Sequence, residues 1–114
     1  MTLSIWHNPR CTKSRQTLAL LEERGLAPQV RLYLTDAPSE PELRAAAAAL
    51  GLAPLAMMRQ KEPEFRAEGL SKDSSDDALF AAMARVPKLI ERPIVFANGK
   101  AALGRPPEAV LDIL

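Results

Sequence analysis

Apolar and polar positions along the chain change period several times, and each change predicts a new element. Residues 2–6 (TLSIW) are a short apolar-rich run that ends at the turn signal Asn8-Pro9, which predicts a strand. From Thr12 the apolar residues fall at helical spacing, and Gly25 ends the predicted helix. Residues 30–34 then alternate in polarity, which predicts a second strand. A strand, a helix and a strand in this order form a βαβ unit with parallel strands.

The middle of the chain, about residues 39–86, is predicted to be a helical insertion. Ser39 and Glu42 have the spacing of a capping box, and an alanine-rich helix follows them. Pro54 can begin a further helical segment through LAMMRQKE. Residues 74–86 carry apolar side chains at helical spacing and predict another helix.

The period of the pattern changes again after the insertion. The segment RPIVFANGKAALG predicts two strands joined at Asn98-Gly99, a strong hairpin signal. Pro106 and Pro107 then begin a final helix with Val110 on its apolar side. The predicted order is βαβ, a helical insertion, ββ and a closing helix, which is an α/β class.

Length and composition limit what kind of protein this is. A chain of 114 residues with 47% apolar content is long enough for one compact domain. It has no apolar run long enough to span a bilayer and no secretory signal pattern, so we expect a soluble, cytoplasmic protein without a membrane partner. The net charge of +1 is too small for a general nucleic-acid footprint.

Charge is nevertheless distributed unevenly along the chain. Residues 1–33 carry a net +3 and residues 85–105 a net +4, whereas residues 34–84 carry a net −4. If the two basic segments meet in space, they form a local anion-binding field on a nearly neutral protein. The alternative is a well-mixed, solvated surface.

Cys11 is the only cysteine, and it falls where the first loop meets the first helix. Free backbone N–H groups at a helix start and nearby cations, here Arg10, Lys13 and Arg15, lower the pKa of a thiol and make it nucleophilic. The alternative is a buried, inert cysteine. A lone cysteine cannot form an internal disulfide, so redox chemistry here requires a second thiol from another molecule.

His7 is the only histidine, and two roles are open to it. It can tune the thiolate of Cys11, or it can bridge the end of the strand to the loop. One cysteine and one histidine cannot complete a tetrahedral zinc site without distant carboxylates. A phosphatase-like loop is also disfavoured, because only three residues separate Cys11 from Arg15.

Three distant arginines are candidates for binding an anion. Arg92 and Arg105 each precede a proline, which favours extended backbone, and Arg59 lies in the helical insertion. Guanidinium groups offer forked donors suited to tetrahedral oxyanions. Spacing along the chain does not reveal whether these arginines converge on Cys11.

Three segments together resemble the glutaredoxin-coupled arsenate reductase family. HNPRCTKSR resembles its His-x3-Cys-x3-Arg motif, MMRQKEPEF resembles its central segment, and RPIVFANGKAALGRPPEAVLDIL resembles its C-terminal signature. The resemblance implies a thioredoxin-like fold, with a mixed four-stranded sheet, as a single domain over residues 1–114. The helical insertion would lie at about residues 39–86.

The resemblance also implies roles for individual residues. Cys11 would be the nucleophile, His7 and Arg15 match the motif positions, and Pro93 matches a cis-proline that faces the active cysteine. The oxyanion would be held by three arginines: Arg59, Arg92 and Arg105. No metal and no bound cofactor are implied.

The mechanism that this resemblance implies begins with attack of Cys11 on arsenate to give a thioarsenate adduct. Glutathione, as co-substrate, attacks next, and glutaredoxin resolves the mixed disulfide as arsenite is released. The partners would therefore be arsenate, glutathione and glutaredoxin.

Two other functions are consistent with the same residues. In CTKS, Ser14 stands where a dithiol motif has its second cysteine, so Cys11 could serve a glutathione-linked thiol-disulfide oxidoreductase. Extra arginines have no obvious role on a neutral disulfide. A regulator resembling Spx-type proteins, which bind RNA polymerase, is the third hypothesis; Ser14 removes the Cys-x2-Cys switch that such redox-sensing proteins carry.

Overall fold

The computed structural model describes residues 2–114, which form two compact units. The first unit comprises the residues up to Asp36 together with Arg92–Leu114, and the second is Ala37–Glu91. The second unit includes the predicted helical insertion. A single domain over residues 1–114 stays a prediction.

The first unit is built on a mixed four-stranded sheet, as predicted. Its elements are β1 (Leu3–Trp6), α1 (Thr12–Glu23), β2 (Gln29–Arg31), β3 (Ile94–Ala97), β4 (Lys100–Leu103) and a closing 3-10 helix (Pro107–Ile113). The strand order is β2-β1-β3-β4. β1 runs parallel to β2 and antiparallel to β3, and β3 and β4 form an antiparallel hairpin.

Alternate residues of the two central strands form the core of this unit. The buried cluster consists of Leu3, Ile5, Leu21, Val95, Ala97 and Val110. Leu21 comes from α1 and Val110 from the 3-10 helix, so both elements cover the same apolar face of the sheet. Each fully buried aliphatic side chain contributes about 1.5–3 kcal/mol to the free energy of folding.

Pairing between β1 and β3 determines which loops lie together. Leu3 pairs with Ala97 and Trp6 with Ile94, so the end of β1 lies beside the start of β3. The loop that follows Trp6 therefore lies at the same end of the sheet as Arg92, two residues before Ile94.

The hairpin between β3 and β4 has the turn that its sequence predicts. Ala97 pairs with Lys100, which leaves Asn98 and Gly99 as a two-residue loop. Their φ values of 56° and 73° are both left-handed, as a type I′ turn requires.

The second strand is shorter than predicted, and its apolar residues face outward. β2 ends at Arg31, and the chain turns because the N–H groups of Thr35 and Asp36 both donate to Leu32 O. The prediction of a strand over residues 30–34, made from their alternating polarity, is therefore wrong beyond Arg31. Tyr33 is buried at 1% exposure, whereas Val30, Leu32 and Leu34 are 43–47% exposed.

The closing helix is 3-10 rather than α-helical. The N–H of Ala109 donates to Pro106 O and that of Leu114 to Leu111 O, both three residues back. Val110 is fully buried and Leu114 is 39% exposed, so only part of the predicted apolar side packs inward.

The second unit is helical, as predicted, but its middle differs from the prediction. Its elements are α2 (Glu40–Leu50), α3 (Pro63–Ala67), α4 (Asp76–Arg85) and 3-10 turns at Pro54–Met57 and Pro87–Leu89. The helix predicted through LAMMRQKE is wrong beyond Met57. Met58 instead pairs with Ile90, and the N–H of Arg59 donates to Leu89 O at 2.7 Å, so this backbone bonds to another segment rather than to a helical turn.

Within residues 2–114, the helices are too short or too polar to cross a bilayer.

The predicted capping box at the start of α2 is confirmed and can be tested. Ser39 Oγ accepts from the N–H of Glu42 at 3.3 Å, and the Glu42 carboxylate accepts from the N–H of Ser39 at 3.0 Å. Ser39→Ala should lower the free energy of unfolding by about 1 kcal/mol in urea denaturation. Ser39→Asp keeps an acceptor and should retain most of that stability; equal losses in the two variants would contradict the capping role.

Candidate active site

Cys11 is the N-cap residue of α1, with extended backbone at φ −93° and ψ 123°. Its own N–H donates to Asn8 O at 3.0 Å, and its carbonyl accepts from the N–H of Arg15 at 3.0 Å. The first turn of α1 contains no acidic residue. Cys11 is 8% exposed, so its thiol lies at the positive end of a helix, mostly shielded from water.

Arg105 reaches this thiol from the far end of the chain. Its Nη2 lies 3.8 Å from Cys11 Sγ, and its Nε donates to Arg92 O at 2.9 Å. The carbonyl of Arg92 therefore orients the guanidinium of Arg105. Residues of the two basic segments meet at Cys11, as an anion-binding field requires.

The backbone around both arginines contains two cis peptide bonds. The Arg92–Pro93 bond is cis, as the family resemblance implies, and the Arg105–Pro106 bond is also cis, which we did not anticipate.

The pKa of the Cys11 thiol is lowered from the ordinary value of a cysteine. Burial alone raises this pKa, but hydrogen bonds from the backbone N–H groups of Ser14 and Lys13 and the charges of Arg92 and Arg105 together outweigh burial. Because the thiolate is the stabilised form, Cys11 is suited to nucleophilic attack. Cys11 is buried, as the alternative of an inert cysteine expects, but its electrostatic surroundings favour the reactive interpretation.

Gly104 is a site residue that we did not single out from the sequence. A Cβ at this position would lie 2.5 Å from Thr17 Oγ1 and 2.6 Å from Pro93 Cγ. Thr17 is fully buried, and its hydroxyl donates to Lys13 O at 2.8 Å, so it has little room to move. Gly104 thus lets the chain before Arg105 approach α1 and Pro93. A glycine at the end of a predicted strand was the available signal.

His7 bonds to Ser14. His7 Nδ1 lies 2.6 Å from Ser14 Oγ, and the same hydroxyl accepts from the N–H of Asn8 at 3.0 Å. The pKa of His7 is lowered by burial and by the charge of Arg15, against a smaller opposite effect of Glu22, so the neutral imidazole is the favoured form. Of the two roles left open, this geometry favours bridging the strand end to the loop.

Arg15 and Arg59 have local partners. Arg15 is exposed and donates to Pro9 O at 2.9 Å and to Thr12 Oγ1 at 3.3 Å, which closes the loop before α1. Arg59 belongs to the second unit, where its guanidinium pairs with Glu62. The oxyanion-binding role expected for Arg59 stays a prediction.

Comparison with known proteins gives a family and close relatives. The model of the ArsC family matches residues 6–113. An arsenate reductase of Neisseria meningitidis serogroup A is 50% identical over 98% of this chain and 97% of its own length. The uncharacterised protein YfgD of Escherichia coli K12 is 50% identical over 98% of this chain and 96% of its own length. The solved structure of an arsenate reductase from Vibrio cholerae is 58% identical, with a TM-score of 0.96 over 100% of this chain and 98% of that one.

Removing the guanidinium beside Cys11 should raise the pKa of the thiol. In wild type the lowered pKa keeps the thiolate present at lower pH than in an ordinary cysteine. Arg105→Ala removes a stabilising cation and should shift the thiolate absorbance titration to higher pH. Arg24→Ala removes an exposed arginine at the other end of α1 and serves as the matched control. An identical titration in wild type and Arg105→Ala would contradict the electrostatic assignment.

Gly104→Ala should destabilise the first unit and disturb the thiol at the same time. The added methyl group overpacks against Thr17 and Pro93, at a cost of about 1–3 kcal/mol in urea denaturation. The displaced Arg105 should also leave the pKa of Cys11 higher than in wild type. Thr17→Ala removes one of the two clashing groups, so Gly104→Ala should cost less in that background. A cost that is the same in both backgrounds would show that the close approach is not the cause.

Proposed function

This chain belongs to the ArsC family, and from that premise we propose that it is an arsenate reductase that uses the thiolate of Cys11 as its nucleophile. The observation that carries the proposal is the convergence of a stabilised thiolate with the guanidinium of Arg105, 3.8 Å from the sulfur. A thiolate attacks an oxyanion only if the repulsion between their charges is offset. Arg92 and Arg105 supply that offset at the sulfur.

The first step uses the groups that surround Cys11. The thiolate attacks arsenic(V), a sulfur–arsenic bond forms, and an oxygen leaves as water after protonation. The oxygens that remain face the guanidinium of Arg105 and the backbone N–H groups at the start of α1. Arg59 is the third arginine proposed to hold the oxyanion. His7, neutral and bonded to Ser14, keeps the loop in place rather than adding charge.

The second step needs an external thiol, because Cys11 is the only cysteine in the sequence. Glutathione thiolate attacks Cys11 Sγ, a disulfide forms, and the sulfur–arsenic bonding pair leaves with arsenic, which becomes arsenite. Glutaredoxin then attacks the glutathione sulfur and releases the thiolate of Cys11. The sum is arsenate and two glutathiones giving arsenite, glutathione disulfide and water.

Ser14 explains why this second thiol has to come from outside. It occupies the position three residues after Cys11, where a dithiol motif has its resolving cysteine. Its hydroxyl is fully buried and already bonded to His7 and to the N–H of Asn8. The helix position that a resolving thiol would use therefore serves to hold the loop.

The reaction can be followed as arsenate-dependent oxidation of NADPH in the presence of glutathione, glutathione reductase and glutaredoxin. Wild type should turn over, and Cys11→Ser should fall to background because the nucleophile is lost. Lys100→Gln changes an exposed cation on β4 and should leave the rate unchanged. If wild type shows no arsenate-dependent oxidation of NADPH but reduces a glutathione mixed disulfide, the proposal is contradicted. The chain would then be a thiol-disulfide oxidoreductase.

A further inference from the structure

A groove outside the residues already assigned runs along the outer face of α1. It has a volume of about 390 Å³ and lies between the helix and the loop that follows Arg105. That volume falls within the roughly 300–1,000 Å³ of small-molecule sites. Its lining includes Lys13, Gln16, Leu20 and Glu23 from α1, Pro106 from the loop and Glu108 from the closing 3-10 helix.

The groove carries separated charges of both signs. Lys13 lies in the first turn of α1, and Glu23 ends the helix ten residues later, about 15 Å along its axis. Glu108 adds a second carboxylate from the closing 3-10 helix. Lys13, Glu23 and Glu108 are exposed, and within residues 2–114 none of them forms an ion pair. These charges are therefore available to a ligand with a carboxylate and an ammonium group.

The position of the groove relates it to the thiol. Lys13 is two residues beyond Cys11 on the helix, and Pro106 directly follows Arg105, whose Nη2 lies 3.8 Å from Cys11 Sγ. Lys13 therefore lies at the end of the groove nearest Cys11, and Glu23 lies at the far end.

We propose that this groove binds glutathione, with the glycine carboxylate on Lys13 and the γ-glutamyl ammonium on Glu108 and Glu23. This assignment rests on the proposed function, in which glutathione attacks Cys11. The thiol of glutathione belongs to the residue next to the glycine, so a glycine carboxylate on Lys13 keeps the thiol at the Cys11 end of the groove. The γ-glutamyl residue then extends toward Glu23 and Glu108. The remaining backbone of the tripeptide lies over Gln16 and Leu20.

A reaction without arsenate tests the groove by itself. The thiolate of Cys11 attacks one sulfur of glutathione disulfide, the new Cys11–glutathione disulfide forms, and the second glutathione leaves as a thiolate. Hydroxyethyl disulfide reacts by the same exchange but has no charged groups. The ratio of the two second-order rate constants, measured by intact-protein mass spectrometry, reports recognition of glutathione and cancels changes in the reactivity of the thiol.

Substitutions on the groove should lower this ratio, whereas a matched control should not. Lys13→Gln, Glu23→Gln and Glu108→Gln should each reduce it by about two- to fivefold, the range expected of exposed ion pairs. Asp112→Asn removes an exposed carboxylate from the same 3-10 helix as Glu108 and should leave the ratio at the wild-type value.

A modified ligand tests the direction of binding. The disulfide of N-acetylated glutathione lacks the ammonium charge, so wild type should react with it more slowly than with glutathione disulfide. Glu108→Gln should show no further loss with this ligand, since the paired charge is already absent. Two results would overturn the assignment. One is a ratio of rate constants that stays at the wild-type value in all three groove variants. The other is a loss in Glu108→Gln that is as large with the acetylated ligand as with glutathione disulfide. Arsenate is absent throughout, so this outcome is independent of whether the chain reduces arsenate.

Discussion

The candidate site depends on the antiparallel pairing of β1 with β3. Cys11 and Arg105 are 94 positions apart in sequence, and no local element could bring them together. Pairing of Trp6 with Ile94 places the loop that carries Cys11 beside Arg92 and Pro93. The β3–β4 hairpin then returns the chain to the same end of the sheet, where Gly104 fits against Pro93 and α1. The chemistry of the thiol thus follows from the order of the strands.

The electrostatics of Cys11 show two opposing effects at one atom. Burial makes the thiolate costly because water no longer solvates it, and an isolated thiol at 8% exposure would stay protonated. Backbone N–H groups of α1 and the two guanidinium groups replace that solvation with fixed dipoles and charges. The same groups suit the oxygens of an oxyanion, so in the proposed function one arrangement both prepares the nucleophile and binds the anion that it attacks.

Local signals in the sequence predicted local features correctly. The Asn98-Gly99 turn, the Ser39–Glu42 capping box and the placement of Cys11 at a helix start all depend on residues close together in the chain. The failures involve distant partners. The backbone after Met57 pairs with residues 89–90 instead of continuing a helix. In residues 30–34 the aliphatic side chains are exposed, and Tyr33 is the buried one.

The features of the candidate site also fall into those that local sequence predicts and those that depend on distant residues. Cys11 could be singled out from its position and neighbours, but the 3.8 Å contact with Arg105 needs the completed sheet. Residue type and position made three distant arginines candidates, and the family resemblance implied their role in holding an oxyanion. It did not indicate that Gly104 has no room for a side chain, or that Ser14 holds His7 and Asn8.

Our central claim is that Cys11, the only cysteine of the sequence, reacts with the thiol of another molecule. Its most direct test is a reaction of the full chain with arsenate and glutathione in the absence of glutaredoxin, followed by intact-protein mass spectrometry and arsenite analysis. We expect one glutathione on Cys11 per chain, formed only when arsenate is present, together with an equal amount of arsenite. No adduct, or an adduct that forms equally well without arsenate, would contradict it.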